Sequence, residues 1–218
     1  GLKTTLCGIE LDNPVIAASG TFGYGYEFAE LYDINILGSL SFKGTTLKPR
    51  FGNPTPRIAE CAQGMVNSVG LQNPGVEKVI EEELPRLKKC FRKPVMANIS
   101  GFSEDEYAAV AERLDECPEI GWFEVNISCP NVHGGGMGFG TDPRMAAAVT
   151  RRVREVTKKP VIMKLTPNVT DIMEIARACE AAGADGVSLI NTIMAMRIDI
   201  RSGRPILKNQ TGGMSGPA

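Results

Sequence analysis

One pattern constrains this fold more than any other. Six short apolar runs, at residues 14–18, 38–42, 94–98, 122–126, 160–165 and 186–190, each end in polar or glycine residues. Helical stretches are expected at 27–33, 76–90, 103–117 and 143–157, and from a cap at Thr170 to a stop at Gly183. Strand–helix alternation of this kind predicts a parallel α/β sheet. The polar residues recur at one place in the unit, the C-terminal end of the strand: Ser19, Lys43, Asn98, Asn126, Lys164 and Asn191. A purely structural sheet has no use for that regularity. A (β/α)8 TIM barrel with its site on the C-terminal face requires it. Six strands do not close such a barrel, so the expectation is one domain over 1–218 that holds about six of the eight units and is incomplete at its C-terminus. An open doubly wound sheet is the alternative. The final Gly212-Gly-Met-Ser-Gly216 reads as a loop leading toward a further helix.

The remaining segments are accessory. Residues 1–13 suggest a small hairpin covering the barrel bottom, and 197–209 a second hairpin turning at Ser202-Gly203. Residues 47–66, with prolines 49, 54 and 56, read as an extended excursion or hairpin. The formal net charge of −1 comes without a basic block, which disfavours nucleic acid or an anionic membrane as partner. No apolar run is long enough to span a bilayer, and no signal-peptide pattern is seen. Six scattered cysteines without a C-x-x-C pair, and a single histidine, disfavour a metal site and fit free thiols in a reducing cytoplasm.

The chemistry concentrates in Asn126-Ile-Ser-Cys-Pro-Asn131-Val-His-Gly-Gly-Gly136-Met-Gly-Phe-Gly140-Thr-Asp-Pro143, where a strand should run into a glycine-rich loop and then a helix. Asn126 offers a donor and an acceptor, Ser128 a hydroxyl, and Cys129 a thiol able to ionise. His133 lacks an obvious partner to orient it, so proton transfer must fall to other groups. Lys43 and Lys164 each end an apolar strand, a costly place for a cation unless something anionic meets it. Amides beside cations suit a planar polar heterocycle with a negative group. There is no P-loop and no G-x-G-x-x-G, so any cofactor is held in a non-Rossmann manner, as a flavin could be by loops on the C-terminal face.

Several long stretches are similar to one family. Pro14-Val-Ile-Ala-Ala-Ser-Gly-Thr-Phe-Gly, Lys43-Gly-Thr-Thr-Leu-Lys-Pro-Arg-Phe-Gly-Asn-Pro-Thr-Pro-Arg, Asn67-Ser-Val-Gly-Leu-Gln-Asn-Pro-Gly, Asn126-Ile-Ser-Cys-Pro-Asn-Val-His-Gly-Gly-Gly, Lys164-Leu-Thr-Pro-Asn, Ile190-Asn-Thr and Gly212-Gly-Met-Ser-Gly-Pro-Ala follow its order over essentially the whole chain. The chain resembles class 1 dihydroorotate dehydrogenase, most closely the class 1B, NAD-linked catalytic subunit. The resemblance implies oxidation of dihydroorotate to orotate in pyrimidine biosynthesis, with FMN as hydride acceptor and Cys129 as base. It places Ser19, Lys43, Gly44, Asn98, Asn126, Lys164, Ile190 and Gly216 at the flavin. Lys43, Asn67, Ser68, Val69, Gly70, Leu71, Asn126, Asn191 and Thr192 would hold the substrate. It further implies a homodimer, an iron–sulfur/FAD partner subunit that passes electrons to NAD, and a cytoplasmic setting. A fumarate-linked class 1A enzyme, dihydropyrimidine dehydrogenase-like chemistry, and a flavin-free fragment with only a binding or structural role are the alternatives.

Overall fold

The computed structural model describes residues 1–62, 64–127 and 136–217. Six parallel strands form its centre: β1 (Ile16–Ala17), β2 (Ser39–Leu40), β3 (Val95–Ile99), β4 (Ile120–Asn126), β5 (Val161–Lys164) and β6 (Gly186–Ser188). Each pairs with the next in sequence, the β2–β3 junction being made by the parallel bridges Ser41–Met96 and Thr45–Ile99. A doubly wound sheet would reverse its strand order partway, and this order never reverses.

Alternation along the strands separates two interiors. Leu40, Phe42, Ala97, Ile99, Phe123, Val125, Val161, Met163 and Leu165 point outward into one core with the helices. The helical contribution comes from residues 76–88, Glu104–Asp115, Pro143–Arg154 and Ile172–Ala181. The opposite face is the barrel interior, where Met96, Trp122 and Ile162 pack with Leu6, Ile9, Leu11 and Ile16. β3 and β4 are buried along their whole length, as a parallel strand covered on both faces must be. Helices on one side and a filled interior on the other define a TIM-barrel arrangement, here an arc of six strands.

The barrel bottom is covered as expected by an antiparallel hairpin, Thr4–Leu6 with Ile9–Leu11. The Trp122 indole donates to the Leu6 carbonyl at 3.0 Å, which satisfies the one polar atom of a fully buried side chain. The second hairpin pairs Ile198–Asp199 with Arg204–Pro205.

Several expectations need correction. Gly212–Ser215 is a strand, not a loop toward a helix. It lies in a four-stranded antiparallel sheet between Ile193–Ala195 and Gly64–Asn67, with Ile58–Cys61 at the outer edge. The helix after β5 is capped by Asp171 rather than Thr170, because the carboxylate reaches the amides of Met173 and Glu174. Gly136–Thr141, read as part of a glycine loop, is helical. The helix expected at 27–33 is a single turn, Tyr26–Ala29, followed by the short turn Ile34–Ile36. The last parallel strand ends at Ser188, not at 190. No helix among the described residues is long and apolar enough to cross a membrane.

Candidate functional site

The C-terminal ends of the parallel strands open on a cavity of about 570 Å³. Ser19, Lys43, Gly44, Asn98, Asn126, Lys164, Ile190, Asn191 and Thr192 line it from the parallel strand ends, Asn67 from the end of the Gly64–Asn67 strand, and Val69, Gly70 and Leu71 from the loop that follows. Every site residue expected from the sequence is therefore here except three. Gly216 lines a smaller adjoining cavity of about 220 Å³ that shares Ile190, Asn191, Thr192 and Ser215 with the first. Ser68 is fully buried, and its hydroxyl and carbonyl both accept from Asn53 Nδ2, so it serves the loop rather than the cavity. Cys129, with Ser128 and His133, lies outside the described residues.

The antiparallel sheet makes one wall. Ile58, Met65, Asn67 and Ser215 share the face toward the cavity, while Ala59, Val66 and Met214 pack on Leu207 behind it. Sequence reasoning missed Ile58, Met65 and Ser215, together with Ala18, Gly20 and Thr21, which also line the cavity. Ile58, Met65 and Ser215 signalled only through alternation within strands that turn residues obscured, while Ala18, Gly20 and Thr21 flank Ser19 at the turn after β1.

Hydrogen bonds fix the polar lining. Asn191 Nδ2 donates to Asn126 Oδ1 at 3.1 Å, and the Thr192 amide donates to Asn191 Oδ1 at 2.8 Å, so both carboxamides are held in one orientation. Tyr107, from the helix Glu104–Asp115, donates to the Asn126 carbonyl at 2.9 Å and anchors that strand end. Asn168 ties residues 192 and 194 to Thr166, donating to the Thr192 carbonyl and accepting from the Met194 amide. Asn73 does the same for the loop at 67–75, joining Thr46, Leu71 and Gly75. Ser19 Oγ donates to the Phe42 carbonyl at 2.8 Å.

Below the cavity lies Glu124, buried inside the barrel and not singled out from the sequence. Its carboxylate accepts from Ser41, Asn98 and Ser188, on or beside β2, β3 and β6. The barrel interior is thus apolar at the bottom, hydrogen-bonded around one carboxylate in the middle, and lined with amides and two lysines at the top. Among the described residues no carboxylate lies within ion-pair distance of Lys164. Its positive charge is thus left to attract an anionic group entering the cavity. The described residues contain no group of three or more His, Cys, Asp or Glu side chains placed to hold a metal ion.

A TIM-barrel protein with a preformed polar ligand site at the C-terminal ends of its strands is the class that this fold and cavity define. Comparison with known proteins narrows it. The family model for dihydroorotate dehydrogenase matches residues 1–218. The chain is 55% identical over 217 residues to the dihydroorotate dehydrogenase B (NAD(+)) catalytic subunit of Bacillus pumilus, covering 100% of this chain and 70% of that protein. The protein of the same name from Geobacillus kaustophilus is also 55% identical over 217 residues, covering 100% of this chain and 69% of the relative. The crystal structure of DHODH from Eimeria tenella in complex with ferulenol has the same fold, with a TM-score of 0.75 at 22% identity over 99% of this chain and 65% of that one. The chain belongs to the dihydroorotate dehydrogenase family. It spans about 70% of the length of these curated relatives and 65% of that structural neighbour.

Proposed function

We propose that this protein oxidises dihydroorotate to orotate, the redox step of pyrimidine biosynthesis, using FMN and passing electrons to NAD through a partner subunit. The observation that carries the reading is the convergence of the family's motif residues on one cavity. Residues from six strand ends and from the loop at 67–71 meet there although they are scattered over most of the sequence. The relatives' names specify the NAD(+) type and a catalytic subunit, which favours the NAD route over fumarate. An iron–sulfur/FAD partner and a homodimer remain part of the proposal.

The residues present fit a flavin. Asn98 Oδ1 is buried without a hydrogen-bond partner beside the cavity, a state that a ligand N–H would relieve. A Cβ at Gly44 would stand 2.8 Å from that oxygen, so glycine keeps the floor open to a flat ring. Ser19, Lys43, Gly44, Asn98, Asn126, Lys164, Ile190 and Gly216 would hold the flavin. When bound, it supplies the acceptor for the hydride that leaves C6 of the substrate.

The chain's own groups do the rest. Asn67, Asn126, Asn191 and Thr192 supply donors and acceptors for the pyrimidine ring and its carboxylate, with Lys43 reaching both ligands. Val69, Gly70 and Leu71 shape the substrate side. Lys164 provides positive charge where negative charge builds up during the reaction. Cys129 comes three residues after the end of β4 in sequence and would take the proton from C5 as a thiolate.

The test is the visible spectrum of the purified full-length protein before and after anaerobic addition of dihydroorotate. A yellow protein whose flavin band bleaches is the expected result. A colourless protein, or a yellow one indifferent to dihydroorotate, would overturn the reading. Oxidation by NAD only when the partner subunit is added separates the NAD-linked from the fumarate-linked enzyme.

A further inference from the structure

Glu124 is a buried carboxylate that the proposed reaction does not use. Its Oε2 accepts from Ser41 Oγ at 2.8 Å and from Asn98 Nδ2 at 2.6 Å, and its Oε1 accepts from Ser188 Oγ at 2.7 Å. An ionised carboxylate only accepts, so the Asn98 carboxamide must turn its NH₂ toward Glu124 and its oxygen away. That oxygen has no partner, although Asn98 is 1% exposed and lines the cavity. A buried carbonyl oxygen without a donor is costly, and native structures rarely leave one unless a ligand or water completes it.

We propose that Glu124 is a positioning residue that sets the hydrogen-bonding polarity of the site. It holds Asn98 so that Oδ1 is presented as an acceptor to a ring N–H of the ligand in the cavity. This rests on the flavin reading above. Oxidised isoalloxazine carries a single ring N–H, at N3, so N3–H is the group assigned to Asn98. Ser41 and Ser188 hold two more of the carboxylate's lone pairs and keep Glu124 from turning. A glutamate that merely cross-linked strands would have no reason to leave its neighbour's oxygen unpaired at the cavity.

The experiment compares FMN with 3-methyl-FMN, which lacks the N3 donor, by fluorescence titration of flavin-stripped full-length protein. The wild-type protein is expected to bind FMN about tenfold or more tightly than the 3-methyl analogue. Glu124→Met keeps the length but removes the acceptor, so the Asn98 amide is no longer held with its oxygen toward the cavity. FMN affinity should then fall about tenfold or more, while affinity for the analogue stays within about twofold of wild type. Equal losses for both flavins in the variant would mean a structural role only and overturn the proposal, as would unchanged FMN binding. The wild-type comparison needs no variant to fold, and equal affinity there for both flavins would also overturn it. A wild-type protein that binds neither flavin would instead overturn the flavin reading itself.

Discussion

A thiolate at Cys129 is the most exacting demand that the proposed chemistry makes on any residue. Cys129→Ser replaces an ionisable group by a hydroxyl that stays protonated near neutral pH. Bleaching of the flavin by dihydroorotate should slow about 10²-fold or more in anaerobic stopped flow, with the oxidised spectrum unchanged. An unaltered rate would remove Cys129 from the mechanism. The residues at the strand ends were legible because position in the unit is itself a signal: Lys43, Asn98, Asn126 and Lys164 each close an apolar run, and all reach the cavity. Glu124 was not legible. Its meaning lies in Ser41, Asn98 and Ser188, which are 26 to 83 residues away in sequence. Within Trp122-Phe-Glu-Val-Asn126 it looks like a stray charge. The orientation of Ser68 was not legible either, since a hydroxyl in a polar loop carries no mark of which way it faces.

At the level of elements, the strand Gly212–Ser215 shows how tertiary pairing overrides propensity. Two glycines weaken a strand taken alone, which is why the segment reads as a loop. They are there for close approach. A Cβ on Gly213 would collide with the side chain of Thr192, and Gly213 also pairs with Asn67, so two expected substrate residues flank it. Gly213→Ala should push Thr192 and Asn67 apart and weaken orotate binding about tenfold or more, read as a loss in the orotate-induced difference spectrum. Flavin content should fall less, because Lys164, Asn98 and Gly44 lie on other elements. Orotate affinity at the wild-type level would show that the wall tolerates the extra methyl. The helix after β5 teaches a smaller lesson. Thr170 and Asp171 are both good caps, and only geometry chooses the carboxylate.

For the whole molecule, alkali is the informative stress. Burial pushes the thiols of Cys7, Cys90, Cys117 and Cys179 above their usual value, with nearby carboxylates adding to this at Cys7, Cys90 and Cys117. Below a pH of about 9.0 these thiols are protonated in both folded and unfolded chains and add no pH dependence. Above it the unfolded chain releases protons that the folded chain retains. The unfolded state then binds fewer protons, and stability falls as pH rises. Urea midpoints at pH 8 and at about pH 10 should show this loss, and Cys117→Ala combined with Cys179→Ala should flatten it. An equal loss in that double variant would assign the effect to other groups. The barrel itself was legible because six consecutive strand–helix units allow few other folds. The antiparallel wall was not, because it pairs Gly213 with Asn67, 146 residues earlier.

That wall also sets a timetable. Asn67 Nδ2 donates to the Gly213 carbonyl across 146 residues, and the strand that carries Gly213 is made after all six parallel strands. A chain emerging from the ribosome can lay down all six parallel strands, with their lysines and amides, while that side of the pocket still stands open. Pairings of such long sequence separation form slowly. That side of the pocket therefore closes only once residues 212–215 have been made, whatever the order in which the parallel strands pair.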